Sequence, residues 1–157
     1  MIDVMTGGNK MEKVNVSSER NITLIMDFYE LTMSYNYFKL GKGDQIVYFD
    51  MFFRKNPDNG GFVIFAGLQQ LIEAIKDMRF TEGDIEYLRS LNIFAEDFLE
   101  YLSTFRFTGD IYAIPEGTVV FPRESLIKVI APIMQAQLVE TALLTIINHQ
   151  SLIATKT

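Results

Sequence analysis

The chain has 157 residues, no cysteine, a formal net charge of −6 from 20 acidic and 14 basic residues, and 48% hydrophobic residues. This composition is typical of one folded domain with a substantial core. It excludes a disulfide framework and a cysteine nucleophile, and it argues against nucleic-acid binding through the overall charge. There is no apolar run of about 18 residues and no apolar segment near the N-terminus, so neither a membrane span nor a signal peptide is predicted. We expect a cytoplasmic protein.

Residues 1–20 mix glycines, serines and charges without apolar periodicity, and a flexible leader is predicted there. A helix is predicted from about Thr23 to Leu40, because apolar side chains recur at helical spacing and two glycines follow. Further apolar residues outside that stripe leave a thin polar face formed by Asp27, Glu30 and Ser34. We therefore expect the helix to be covered on most sides.

The central stretch, residues 48–67, is the strongest candidate for a functional site. A buried strand is predicted over residues 46–53, followed by the cations Arg54 and Lys55 and by a turn rich in Pro, Asn and Gly. A helix is then predicted from Phe62. Strand end, cations, turn and helix N-terminus together would form an anion site. The alternative is a solvent-exposed turn with ordinary surface cations, and the absence of Walker-type spacing favours that alternative.

The second half of the chain has more local signals. Thr81 and Asp84 have the spacing of a capping box at the start of a helix, and a second short helix is predicted over 95–101. Short strands separated by turns are predicted between 107 and 122, and another over 126–130. Pro132 then introduces a helix from Ile133 to about Ala154, which is apolar on nearly every face and is expected to be buried all round.

No catalytic set is visible in these motifs. The only histidine, His149, has no carboxylate three or four residues away, so a structural role is predicted for it. Asp27 and Glu30 share a helix face, where acid/base catalysis is possible but capping or solvation is favoured. Glu116 is expected to shape a turn.

Four segments nevertheless resemble one known family, in order and at consistent spacing. They are DFYELTM (27–33), FFRKNP with its glycines and FAGL (52–68), PEGTVVFP (115–122) and SLIATK (151–156). From about residue 22 to the end, the chain resembles the N-terminal part of nicotinate phosphoribosyltransferase.

This resemblance implies an α+β fold: the helical, β-hammerhead-like N-terminal domain of a type II phosphoribosyltransferase, without the α/β barrel domain. It divides the chain into a leader (1–20), the α+β domain (21–132) and a helix (133–157) that would lead into the barrel. It implies an enzyme that joins nicotinate to phosphoribosyl pyrophosphate in NAD salvage, coupled to hydrolysis of ATP with Mg²⁺. It also implies a homodimer whose sites are shared between subunits.

The resemblance assigns roles in the site only to residues that match the family's motifs. Tyr29 corresponds to the aromatic residue that a partner subunit lays on the pyridine ring, so the ring is expected to matter more than the hydroxyl, and Asp27 lies close to it. Arg54 corresponds to the basic residue offered to the phosphates, and Lys55 is its neighbour. No catalytic residue is assigned, because the phosphorylated histidine belongs to the barrel and His149 does not replace it. Two alternatives remain. The chain is either part of an enzyme, inactive alone and self-associating through its last helix and its first, or a non-catalytic binding or dimerisation module.

Overall fold

A computed structural model describes residues 23–156, so the predicted leader lies outside the described residues. The elements follow in chain order: α1 (Phe28–Lys39), β1 (Ile46–Met51), β2 (Val63–Ile64), α2 (Leu68–Asp77), α3 (Glu82–Ser90), α4 (Glu96–Ser103), β3 (Asp110–Ala113), β4 (Val119–Val120), β5 (Ile127–Pro132), α5 (Ile133–Leu138) and α6 (Glu140–Lys156). Helices and antiparallel strands pack around one core, which confirms the predicted α+β class.

The strands form two antiparallel sheets. One has the order β1-β5-β3, and the other pairs β2 with β4. The prediction of a wholly buried strand over 46–53 was wrong, because β1 lies at a sheet edge and ends at Met51. Successive side chains of a strand point to opposite faces. Met51 is therefore buried, whereas Ile46 and Tyr48 are exposed.

Helix α1 begins at Phe28, after Asp27 in an extended conformation, and not at Thr23 as predicted. Of the three residues on its polar face, only Asp27 is exposed. Glu30 and Ser34 are buried together with Leu31, whereas Phe28, Tyr29 and Met33 are exposed. Because α1 packs against α5 through the side that carries Glu30, two polar groups lie in the interior and an apolar strip remains in solvent.

The helix predicted to begin at Phe62 begins six residues later, at Leu68. Its apolar positions first form the short strand β2, and Gly67 then turns the chain with a φ of 101°. A Cβ atom at Gly67 would lie 3.2 Å from the carbonyl oxygen of Ile146 and closer still to the Gln150 side chain on α6. Glycine is therefore required at this turn both by conformation and by the close approach of α6.

Glu116 caps helix α2 from a distant turn. Its Oε1 accepts hydrogen bonds from the backbone N–H groups of Gly67 (2.5 Å) and Leu68 (2.7 Å). These two donors are among those that a helix N-terminus leaves without intrahelical partners. The expected turn-shaping residue thus also stabilises the start of α2.

Helices α3 and α4 lie close to where the sequence predicts them. Thr81 Oγ1 accepts a hydrogen bond from the Asp84 N–H, and the Thr81 N–H donates to the Asp84 carboxylate, which confirms the capping box. Helix α4 places Phe98 in the core, where its ring packs against Tyr35 and Phe38 of α1. This aromatic contact covers the C-terminal half of α1.

The long final helix is two helices, α5 and α6, which meet at Val139. The prediction that it is buried all round was wrong for Leu144, Leu152 and Ile153, which are exposed. Helix α6 packs against α2 and β2. Near its end, Ser151 Oγ and Thr155 Oγ1 accept hydrogen bonds from backbone N–H groups around β2, at 3.0 and 2.9 Å.

We predict that Glu116→Ala lowers the free energy of unfolding by about 1–2 kcal/mol, because two N–H donors of α2 lose a charged acceptor. Glu116→Gln should lose less, since its amide oxygen still accepts. Urea unfolding followed by circular dichroism measures both. The control is Glu100→Ala on the exposed side of α4, expected within about 0.5 kcal/mol of wild type. Equal stability of Glu116→Ala and the control would refute the capping role.

Candidate functional site

Tyr29 lies where the first turn of α1 meets the start of α6. Its hydroxyl donates a hydrogen bond of 2.8 Å to Glu140 Oε1, although the two residues are 111 positions apart. Glu140 Oε2 in turn accepts a bond of 2.8 Å from the amide of Gln137, on the buried side of α5. The hydroxyl of Tyr29 is thus held from inside the protein, while 44% of the residue remains exposed.

Glu30 ties the same turn of α1 to the backbone of α6. Its Oε1 accepts hydrogen bonds from the N–H (2.9 Å) and the hydroxyl (2.6 Å) of Thr141. The backbone N–H of Asp27 donates to the same Thr141 hydroxyl oxygen at 3.2 Å. A carboxylate from α1 therefore occupies the N-terminus of α6, where the helix dipole favours negative charge.

The environment of Glu30 resists its ionisation. The side chain is fully buried, and Oε2 has no hydrogen-bond partner. Burial raises the pKa of Glu30 to about 7; the Thr141 bonds oppose this change, and the nearby charges of Glu140 and Asp27 add to it. A proton on Oε2 would still leave Oε1 free to accept from Thr141.

The same surroundings keep Tyr29 protonated. Partial burial raises the pKa of its hydroxyl well above the ordinary value, and the hydrogen bond to Glu140 with the charges of Glu140, Glu30 and Asp27 raises it further. Tyr29 is therefore a neutral phenol whose hydroxyl acts as a donor at any physiological pH. Its exposed ring is available for stacking.

A cavity of about 390 Å³ opens beside Glu140, between the edge strand β1 and helices α5 and α6. Its walls are largely apolar and include Met51, Val139 and Leu143. Both oxygens of Glu140 are already bonded to Tyr29 and Gln137. The carboxylate of Glu140 thus faces the cavity with both oxygens already bonded to protein groups.

Arg54 and Lys55 lie apart from this cluster, in the exposed turn that follows β1. Among residues 23–156, neither side chain makes a hydrogen bond or an ion pair. The turn continues through Asp58, at a positive φ of 51°, and is tied to the last residue of α6 by an ion pair of 2.8 Å between Asp58 and Lys156. Tyr29 contacts the first residue of α6, so the structure anchors the two groups at different ends of that helix.

The predicted anion site was wrong in one of its parts. No helix begins directly after the glycine turn, because β2 comes next, and at the start of α2 the N–H groups of Gly67 and Leu68 are bonded to Glu116. Any anion bound at this turn must therefore be held by the side chains of Arg54 and Lys55 and by the turn itself.

The other candidates add no site. His149 is exposed on α6. Within residues 23–156 no three His, Cys, Asp or Glu side chains are grouped so that they could hold a metal ion. In the same part of the chain, no helix has the length and apolar character needed to cross a membrane.

The fold and the sequence both match one family. The solved structure of human nicotinic acid phosphoribosyltransferase superimposes with a TM-score of 0.78 at 31% identity, over 83% of this chain and 27% of the human chain. The model of the nicotinate phosphoribosyltransferase N-terminal domain matches residues 24–148. The chain belongs to the nicotinate phosphoribosyltransferase family and carries the family's N-terminal domain.

Individual proteins of this family are similar to the chain in sequence. A nicotinate phosphoribosyltransferase of Mycobacterium tuberculosis is 45% identical over 133 residues, which cover 85% of this chain and 28% of the relative. The enzyme of Caenorhabditis elegans is 39% identical over 135 residues, 84% of this chain and 24% of the relative. A nicotinate-nucleotide pyrophosphorylase of Pyrococcus furiosus, at 17% identity and a TM-score of 0.58, shares the fold. The chain thus spans about a quarter of the length of these relatives.

Sequence reasoning missed Glu140, Gln137 and Thr141, because no local pattern connects them with α1. Their one sequence signal is an acidic residue and a threonine at the start of a helix, which is common. Burial of Glu30 was equally invisible, since an acid at helical spacing from other polar residues ordinarily faces solvent.

We predict that the stability of the chain carries a pH dependence from Glu30. A pKa raised from 4.5 to about 7 means that the folded state binds this proton more tightly than the unfolded state. Its contribution is complete below pH 4.5 and is lost as the pH rises through 7, by up to about 3 kcal/mol. Glu30→Gln, which keeps the acceptor for Thr141, should remove this decline.

Chemical unfolding at intervals from pH 5 to pH 8 measures the effect as the difference between Glu30→Gln and wild type. Glu100→Gln is the matched control and should follow wild type. Parallel curves for Glu30→Gln and wild type would show that Glu30 is ionised throughout, against this account.

Proposed function

We propose that this chain acts as the N-terminal part of a nicotinate phosphoribosyltransferase. The reaction joins nicotinate to phosphoribosyl pyrophosphate, releases pyrophosphate and forms nicotinate mononucleotide in NAD salvage, with coupled ATP hydrolysis. The observation that carries this proposal is the 45% identity to the mycobacterial enzyme over 133 residues. ATP and Mg²⁺ belong to the whole reaction, and we assign neither of them to residues of this chain.

In this proposal Tyr29 stacks on the pyridine ring of nicotinate. The geometry supports the role because the ring is exposed, whereas the hydroxyl is bonded inward to Glu140. A flat, neutral phenol that is held at one end loses little conformational freedom when a second ring stacks on it. Asp27, exposed at the start of the same helix, is the neighbouring polar group on this surface.

Arg54 and Lys55 are proposed to bind the phosphates of phosphoribosyl pyrophosphate. Both are exposed and have no partner among residues 23–156, so binding a phosphate would break no ion pair in this part of the chain. A guanidinium donates two parallel hydrogen bonds to phosphate oxygens, and an ammonium adds a compact positive charge. Such contacts orient the substrate and offset its charge without forming a covalent bond.

We further propose that the enzyme is a cytoplasmic homodimer in which Tyr29 reaches the nicotinate site of the other subunit. Tyr29 is bonded to the first residue of α6, and the turn that follows Arg54 and Lys55 is bonded to the last. Because a helix of 17 residues is about 25 Å long, these two attachment points are far apart within one subunit, which supports the proposal. An exposed apolar strip at the start of α1, next to Tyr29, also suits contact with another subunit.

The direct test is a fusion protein in which residues 23–156 replace the matching segment of the mycobacterial relative. With nicotinate, phosphoribosyl pyrophosphate, ATP and Mg²⁺, it should form nicotinate mononucleotide, measured by chromatography, with the unaltered relative as the positive control. The 157-residue chain alone should form none, because binding groups without the rest of the site cannot stabilise the transition state. A folded dimeric fusion without product would favour the alternative of a non-catalytic module.

We predict that Arg54→Ala in this fusion raises KM for phosphoribosyl pyrophosphate roughly tenfold or more, as expected for loss of a charge-assisted hydrogen bond. KM for nicotinate should change much less. Lys76→Ala, which removes an exposed cation on α2, is the control and should leave both values unchanged. Unaltered use of phosphoribosyl pyrophosphate by Arg54→Ala would remove Arg54 from the site.

A further inference from the structure

The two oxygens of Glu140 are both bonded to side chains, which is unusual for an acid in the first turn of a helix. Such acids commonly cap backbone N–H groups. At α6, however, the Thr141 N–H is bonded by Glu30, so Glu140 is free to bond elsewhere. Its oxygens accept from the Tyr29 hydroxyl and from the Gln137 amide, each at 2.8 Å. Capping therefore does not explain why an acid is present at this position.

Packing does not explain why a polar residue, Gln137, occupies a buried position on α5. It is only 4% exposed and lies on α5 among buried apolar neighbours such as Ala136 and Leu138. A buried amide is costly unless it is hydrogen-bonded, so an apolar residue would serve a purely structural purpose better. The side-chain bond of its amide nitrogen runs to Glu140. Gln137 fixes the direction of that carboxylate.

We propose that Glu140, supported by Gln137, is a positioning residue that holds the ring of Tyr29 in the orientation in which it stacks on nicotinate. The inference rests on the proposed function, because it takes nicotinate as the ligand of Tyr29. It also goes beyond the resemblance, from which the ring was expected to matter more than the hydroxyl. The hydroxyl matters as the point of attachment, and Glu140 acts on nicotinate only through Tyr29.

The physical reason is the freedom of an exposed tyrosine. Without an anchor, the side chain of Tyr29 would sample several rotamers, and binding would have to select one of them. The chain Gln137–Glu140–Tyr29 links the exposed ring to the buried side of α5, which is itself part of the core. The hydroxyl of Tyr29 donates to a carboxylate oxygen, and a hydrogen bond to a charged acceptor is stronger than one between neutral groups.

The first arm of the test uses the full 157-residue chain. Carbon-13 spectra of its tyrosine rings are recorded at pH 7, and the Tyr29 signals are assigned from their absence in Tyr29→Phe. Glu140→Gln should shift the Cζ signal of Tyr29, since the charged acceptor of its hydroxyl is gone. Glu100→Gln, the matched control, should leave that signal unchanged. An unaltered Tyr29 signal in Glu140→Gln would overturn the inference at its first step.

The second arm is a double-mutant cycle in the fusion protein. Tyr29→Phe and Glu140→Ala should each raise KM for nicotinate about tenfold, while KM for phosphoribosyl pyrophosphate stays unchanged. The double variant should be no worse than either single variant, because both remove the same bond. Glu140→Gln, which keeps an acceptor oxygen, should restore part of the loss. Additive effects would contradict a role that acts through Tyr29.

The outcomes separate this inference from the function on which it rests. If the fusion makes nicotinate mononucleotide but Glu140→Ala leaves KM for nicotinate unchanged, the positioning role fails and the proposed function stands. If the folded fusion makes no product, the proposed function fails, and the positioning role fails with it.

Discussion

The N-terminus of α6 depends on a carboxylate from another helix, and much of the structure depends on that contact. Glu30 of α1 accepts both the N–H and the hydroxyl of Thr141, so the first helix of the domain is bonded to the last. The bond between Tyr29 and Glu140 is one residue away on both helices. The capping contact therefore also sets the distance at which Tyr29 can be held.

Helix α2 uses the same arrangement, with Glu116 bonded to the N–H groups at Gly67 and Leu68. In both helices an internal carboxylate satisfies donors that could otherwise bind an external anion. An anion would therefore be bound by cationic side chains and not by these donors. Arg54 and Lys55, in a turn tied to α6 through Asp58 and Lys156, are side chains of the required charge.

Local patterns predicted the local structure. The capping box of Thr81 and Asp84 and the strand β5 follow from patterns within a few residues. The patterns failed where partners are distant in sequence. The burial of Glu30 depends on Thr141, and the start of α2 depends on Glu116 and on the close approach of α6 to Gly67. The resemblance pointed to Tyr29, but the partner of its hydroxyl was visible only in three dimensions.

The central claim is that Tyr29 presents its ring to nicotinate while its hydroxyl stays bonded to Glu140. Titrating nicotinate into the fusion protein with carbon-13-labelled tyrosine tests this most directly. The account predicts that the ring-carbon signals of Tyr29 shift in a saturable manner, while those of the exposed Tyr87 on α3 do not move. Saturable binding of nicotinate that leaves the Tyr29 signals in place would contradict the claim.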